Sequence, residues 1–500
     1  MLLPIISAFL GILAFLPFNF WFLAFFFLVP FFIFILKEKG LVKLVSGAFV
    51  FKIIFLAGTA YFVLEPLLFL FSILIFLGFS ISIFLAKKIT KYSNLIIAAI
   101  IPFLWVLFDI LEARYSFLPF YVITLGNTIG NSPFLGLANY GGIIFLTFFA
   151  ALINILMAAI ILKFDKNLGL LKNRFSAILA IIAIALFLAG WQFSQSNLQK
   201  NSNDYNSRQK ILKTAVLSNN EKFDEEFLIF KENTFSEDEK KLAEAMILDK
   251  LKLIRTDIIG KNIDILVFPE DMIDIEIWNN ADKQAFEKFN ISNAGILISS
   301  YGWLAKELNT YLAATITTIR NGKRYNSTIL FDRNGELIDI SDKSILTITS
   351  EWWPFEKWYP FYYNWFLKTA PDINKNIALF NKKYNYEWGR KKLLKTGDFE
   401  FASLICIETH YPNEFKKSME LGAEFIINSS NSRWVPSGLN HYLYLTTNLR
   451  KIESVWQNVP IIINGRDEKA GIITPDGKTD LINFESGSEN YGLFVGEVGY

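Results

Sequence analysis

Seven long apolar stretches fill the first two hundred residues, at about 2 to 16, 19 to 36, 44 to 64, 66 to 86, 94 to 112, 140 to 162 and 175 to 193. A bilayer core of about 30 Å takes roughly 20 apolar residues per helix, so the pattern predicts a transmembrane domain of about seven helices over residues 1–195. After a polar linker, Ser194 to Arg208, the period changes. Runs at 211–217, 263–269, 294–300, 311–318, 324–332, 401–407, 423–428, 459–464 and 470–474 read as strands, and stretches at 236–259, 411–421 and 440–457 as helices. Nearly 300 residues of such alternation predict one layered α/β domain over 205–500.

The charge follows the same division. Mean hydropathy is +0.33 and 52% of residues are apolar, too apolar for an ordinary soluble protein. Residues 1–200 carry 13 Lys+Arg and 5 Asp+Glu, which leaves 36 and 42 for the rest. The net charge of +2 therefore hides +8 on one part and −6 on the other, and gives no case for nucleic-acid binding. Ten of the 13 basic residues fall in the links after spans two, four and six: Lys37, Lys39 and Lys43; Lys87, Lys88 and Lys91; and Lys163, Lys166, Lys172 and Arg174. The other links hold only Glu65, Glu112 and Arg114. Basic short loops stay cytoplasmic, so the expected topology has a cytoplasmic N-terminus and an extracytoplasmic polar domain. The first run lacks a basic leader segment and is expected to remain in place. Lys52 falls inside span three, either at a functional site or snorkelling to the interface. Residues 113–139 form a Gly-, Asn- and aromatic-rich outside loop suited to backbone lining a protected cavity.

One Cys excludes a disulfide framework, and two His offer no metal-ligand spacing, so no metal or cofactor is expected. The only thiol, Cys406, closes the strand 401–407 before a turn into a helix, where a side chain stands exposed and helix N–H groups favour a thiolate. Glu270 closes the strand 263–269, and Lys343 follows a strand ending near Ile340. Strand ends are where α/β sheets gather chemistry. Together the three have the types needed for acyl transfer: Glu270 as base, Cys406 as nucleophile forming a thioester, Lys343 stabilising the oxyanion. Taken singly, each has an ordinary reading as buried thiol, turn glutamate or surface lysine. His410, four residues after Cys406, offers a rival Cys–His pair, and His441 is isolated.

The order of motifs resembles the apolipoprotein N-acyltransferase family, bacterial membrane enzymes with a nitrilase-like domain. The similar segments are Leu13-Ala-Phe-Leu-Pro-Phe18, Trp105 with Asp109, Gly126 to Asn154, Val267-Phe-Pro-Glu270, Tyr325-Asn-Ser327 with Asp342-Lys343, Ile405-Cys-Ile-Glu408, Arg450 with Glu453, Pro460, and Thr474-Pro-Asp-Gly477. The resemblance implies an α-β-β-α sandwich for 205–500, a catalytic Glu270, Lys343 and Cys406, and supporting glutamates at Glu351 and Glu408. It further implies a phospholipid acyl donor, a diacylglyceryl apolipoprotein acceptor, and a place in the bacterial inner membrane with the catalytic domain on the periplasmic side. Departures from the family pattern are Thr347-Ile-Thr-Ser-Glu-Trp352, Ile407, Ser218 where a Gln is expected nearby, and the lack of a final transmembrane helix before Tyr500.

Ten aromatics crowd the fifteen residues from Trp352 to Phe366. Trp and Tyr favour the membrane interface, so this segment is expected to be a membrane-facing lid. The alternatives to N-acyltransfer are a membrane-tethered nitrilase-type amidohydrolase, in which water resolves the thioester, and a non-catalytic relative that binds lipoproteins.

Overall fold

The computed structural model describes residues 1–61, 66–91, 93–115, 120–163, 173–219, 237–273, 288–292, 295–347, 351–352, 368, 386–432, 435, 439–482 and 491–500. The aromatic segment after Trp352 lies outside the described residues.

Each of the seven apolar runs forms a helix: α1 (Leu2–Phe15), α2 (Val29–Lys37), α3 (Leu41–Thr59), α4 (Pro66–Ile89), α5 (Asn94–Tyr115), α6 (Gly142–Lys163) and α7 (Asn173–Asn206). Five of them, α3 to α7, are long and apolar enough to cross a membrane, whereas α1 and the Trp21–Lys37 segment are shorter. Lys52 does not snorkel. Its helix starts eleven residues earlier, at Leu41, and Lys52 is 5% exposed, paired to Glu112 at 2.6 Å. Glu112 lies within α5 rather than in a link, and Ser72 Oγ donates to it at 2.5 Å. This buried ion pair joins α3, α4 and α5, a charge kept in an apolar bundle by a partner.

The polar linker is also helical. The turn after Phe193 stays in α7, because Ser194, Asn197 and Asn201, spaced at i, i+3 and i+7, share one face that docks on protein. Ser194 Oγ accepts from Gly136 N at 2.8 Å and donates to Pro133 O at 2.7 Å. Asn201 Nδ2 donates to Val455 O and Pro475 O at 3.1 and 2.9 Å. Among its described residues the outside loop forms three short 3-10 turns, Phe120–Ile123, Leu125–Ile129 and Leu135–Tyr140. A Cβ at Gly136 would lie 2.1 Å from Ser194 O, so the loop reaches α7 only as glycine. The same loop meets the polar domain where Asn127 Nδ2 donates to Leu445 O at 3.0 Å and Lys451 Nζ to Asn131 Oδ1 at 2.9 Å.

The polar domain is built on strands β1 (Ile211–Asn219), β2 (Ile265–Glu270), β3 (Tyr311–Arg320), β4 (Lys323–Phe331), β5 (Leu337–Asp342), β6 (Leu393–Lys395), β7 (Glu400–Ile405), β8 (Phe425–Asn431), β9 (Ile461–Arg466), β10 (Ala470–Ile473), β11 (Thr479–Ile482) and β12 (Tyr491–Gly499). Its helices are α8 (Glu237–Ile258), α9 (Gly295–Leu308), α10 (Pro412–Glu420) and α11 (Leu439–Gln457). The strand order is β5-β4-β3-β2-β1-β9-β8-β7-β6, with β12 on β1 and β10 on β9. Residues 295–300 of the segment 294–300 are thus helix rather than strand. Leu297, Ile298, Tyr301, Leu304 and Ala305 are the larger apolar side chains that α9 buries, a 3.6-residue period that outweighs the β-branched start.

Alternation along the strands explains the layering. Ile265 and Val267 face one core together with Phe401, Ile427 and Ile462 from the far half of the sheet. Leu266 and Phe268 point the other way, into a core shared with α8 and α9. Ala402, Leu404, Ile426, Ile461 and Ile463 point away from the central core, toward Phe415 of α10. The sheet folds over so that its halves pack face to face between outer helices, an α-β-β-α sandwich. Strands buried on both faces read as nearly continuous apolar runs.

Candidate active site

Strand direction brings the three candidate side chains to one rim. Strands β2, β1, β9, β8 and β7 are mutually parallel, β3 is parallel to β2, and two antiparallel steps through β4 give β5 the same direction. Glu270 ends β2, Lys343 follows β5 and Cys406 follows β7. Folding of the sheet brings the outer strands together, where Thr328 Oγ1 and Ser403 Oγ lie 2.6 Å apart between β4 and β7. Cys406 and Asp271, the residue after Glu270, both have φ of 49°, a left-handed conformation uncommon outside glycine. Each turns the chain sharply where a strand ends.

Lys343 Nζ lies 2.9 Å from Glu351 Oε2 and 3.7 Å from Glu270 Oε1. Asn326 Nδ2 bridges the two carboxylates, donating at 2.6 Å to Glu270 Oε1 and 2.7 Å to Glu351 Oε1. Cys406 adjoins the Glu270 carboxylate and the Lys343 ammonium, and the backbone N–H of Asn431 bears on its sulfur. Glu270, Lys343, Glu351 and Cys406 are all buried.

Burial chiefly, with Glu351 assisting, raises Glu270 above the ordinary carboxylate range. Burial opposes the charge on Lys343, but Glu351 and then Glu270 outweigh it and hold the ammonium protonated. Cys406 differs from expectation. It is 9% exposed rather than standing free, and burial together with Glu270 pushes its thiol up instead of favouring a thiolate. Its resting form is the thiol, so attack needs a base to take the proton, and Glu270 adjoins it.

Glu408, fully buried, accepts hydrogen bonds from Ile405 N (2.7 Å), Ser344 N (2.8 Å), Ser344 Oγ (2.5 Å) and Lys391 Nζ (3.0 Å). Burial would raise it, yet Lys391 and these donors together hold it below the usual range. It ties the residue before Cys406 to the residue after Lys343 without touching the reacting groups itself. His410 does not pair with the thiol; its Nε2 lies 3.3 Å from Tyr442 Oη, and burial pushes it down to about 3. His441 is buried elsewhere against Tyr61. Sequence reasoning assigned no role to Asn326, Ser344, Lys391 or Asn431. Only Asn326 carried a signal, as the centre of Tyr325-Asn-Ser327.

Residues 7–156 match the family described as apolipoprotein N-acyltransferase N-terminal domain, and residues 233–454 match carbon-nitrogen hydrolase. The chain is similar in sequence to apolipoprotein N-acyltransferases. It is 26% identical over 221 residues to the apolipoprotein N-acyltransferase of Agrobacterium fabrum (strain C58), covering 44% of this chain and 37% of that one. A second, from Rhizobium etli (strain CIAT 652), is 26% identical over 244 residues, covering 48% and 39%. The matched stretch thus spans under two fifths of those relatives. Among solved structures, a carbon-nitrogen hydrolase from Helicobacter pylori G27 is similar at 13% identity, covering 58% of this chain and 89% of that chain with a TM-score of 0.37. Saccharomyces cerevisiae Nit3, of the nitrilase superfamily, gives 14%, 58%, 91% and 0.37.

Proposed function

We propose that the protein is an N-acyltransferase that moves an acyl chain from a membrane phospholipid, through a Cys406 thioester, to the α-amino group of a diacylglyceryl-modified N-terminal Cys on an apolipoprotein. The observation that carries this reading is the convergence of Glu270, Lys343 and Cys406 on one buried rim of a domain docked against apolar, membrane-length helices. Glu270 takes the thiol proton as Sγ attacks the ester carbonyl, and the Lys343 ammonium stabilises the oxyanion. The tetrahedral adduct collapses to the thioester, and Glu270 returns the proton to the departing lysophospholipid oxygen. In the second half the acceptor amine attacks the thioester, its proton passes through Glu270, and the thiol is restored. Glu351 and Asn326 hold Lys343 and Glu270 for both halves, and Glu408 braces the chain on either side. The family relatives support this substrate pair over others.

Basic links support a cytoplasmic N-terminus and a periplasmic catalytic domain in a bacterial inner membrane. The two sides come out the same whether or not α1 and α2 cross, because removing both keeps the span count odd. The match to carbon-nitrogen hydrolase supports a second reading, amide hydrolysis by water. Labelled phospholipid and a diacylglyceryl lipopeptide, incubated with the detergent-solubilised protein, separate the two. Label on the peptide supports acyl transfer; label released only as free acid supports hydrolysis and rejects it.

A further inference from the structure

Behind the thiol lies a set of charges that neither half-reaction uses. Asn431 ends β8, the parallel neighbour of β7, whose end carries Cys406, and its backbone N–H bears on the sulfur. One ion pair grips both of its neighbours. Arg450 Nη1 lies 3.2 Å from Glu468 Oε2, with both side chains only 2% exposed. Ser432 Oγ donates to Glu468 Oε1 at 2.7 Å, and Arg450 Nη2 donates to Ser430 Oγ at 3.3 Å. There is little slack: a Cβ at Gly465 would lie 2.6 Å from Glu468 Cβ and 3.1 Å from Ser430 O. Ser432 N further donates to Arg466 O at 2.9 Å, and Arg466 Nη1 to the carbonyl of Asp271, beside the base, at 3.3 Å.

Burying two charges costs desolvation that their attraction only partly returns, so such a pair is poorly explained as a source of stability. We propose that Arg450 and Glu468 are positioning residues, which fix Ser430 and Ser432 so that the amide between them points at the Cys406 sulfur. The proposal rests on the acyl-transfer reading only in taking that sulfur as the attacking atom. As Glu270 removes the proton, negative charge grows on Sγ, and a fixed N–H donor favours the charged form. Glu270, Lys343, Glu351 and Tyr442 also face the thiol. Arg450 and Glu468 also bear on Tyr442, and Arg450 on His410.

Because the chain has a single Cys, displacement of iodide from iodoacetamide by Sγ reads this site alone. The alkylation rate of the full-length protein in detergent is followed across pH for the parent, Ser432→Ala, Glu468→Gln and the double variant. A control is Ser454→Ala, which removes a buried hydroxyl that donates to Val459 O elsewhere on α11. The expected result is a profile moved to higher pH, read as a rate about ten-fold lower at neutral pH for loss of one aimed hydrogen bond. The double variant should be no slower than the slower single, since both cut the same grip, and the control should follow the parent. A Ser432→Ala profile that overlays the parent, whatever its melting temperature, would overturn the proposal and leave the ion pair a structural tie. Alkylation requires no acyl donor, so a shifted profile in a protein that never loads lipid would reject acyl transfer and keep this inference.

Discussion

Lys343 Nζ is closer to Glu351, at 2.9 Å, than to Glu270, at 3.7 Å. The lysine charge is therefore balanced mainly by the supporting glutamate, which lets burial keep Glu270 basic. In Glu351→Gln that balance falls to Glu270 alone, which becomes a weaker base, and thioester loading should drop about 100-fold. Rapid-quench gels with labelled phospholipid check this, and parent-like loading would show that Glu351 has no part in tuning the base.

Glu408 and His410 should behave oppositely although both are buried within four residues of Cys406. Glu408→Ala frees Ile405 N, Ser344 and Lys391 at once, and misplacement of about 1 Å costs near 100-fold. His410→Gln, which keeps a polar group beside Tyr442, should load near the parent rate. The reverse order in the same assay would favour a Cys–His mechanism.

Glu453 is fully buried on α11, and among the described residues neither carboxylate oxygen has a hydrogen-bond partner. Burial pushes it from 4.5 up to about 8. Between those values the folded chain holds a proton that the unfolded chain has released. The stability from its neutral form is fully present below about pH 4.5 and is lost as pH rises through about 8. Glu453→Gln, neutral at every pH, should flatten this part of the melting-temperature profile. An unchanged slope between pH 5 and 8 would show that Glu453 does not carry it.

A reporter enzyme fused after Arg208, beyond the end of α7, should report an extracytoplasmic location, and one fused in the Lys87–Lys91 link a cytoplasmic one. A cytoplasmic signal at the first site would invert the proposed sidedness.

The helices of the membrane part were legible because lipid demands long uninterrupted apolar runs, and the strand ends bearing Glu270 and Cys406 because apolar stretches stop there. Segment 294–300 misled because Ile296 to Ile298 mimic a strand while the period that makes it helix appears only further on, at Tyr301 and Leu304. The Ser194–Asn206 helix was hidden since its interface is made of hydrogen bonds from Ser194, Asn197 and Asn201, which carry no hydrophobic signal. Lys52 stayed open between a functional site and snorkelling because its partner lies sixty residues away in another helix. The protonated state of Cys406 could not be read either, being set by burial and by Glu270, more than a hundred residues distant.

Intact-mass measurement of the protein after incubation with phospholipid reads the Cys406 thioester itself. The expected result is a mass increase of one acyl chain, removed by hydroxylamine as a thioester would be, absent in Cys406→Ala and suppressed about 100-fold or more in Glu270→Gln. A parent protein that gains no acyl mass, or a Cys406→Ala variant that still gains it, would rule out acyl transfer through Cys406.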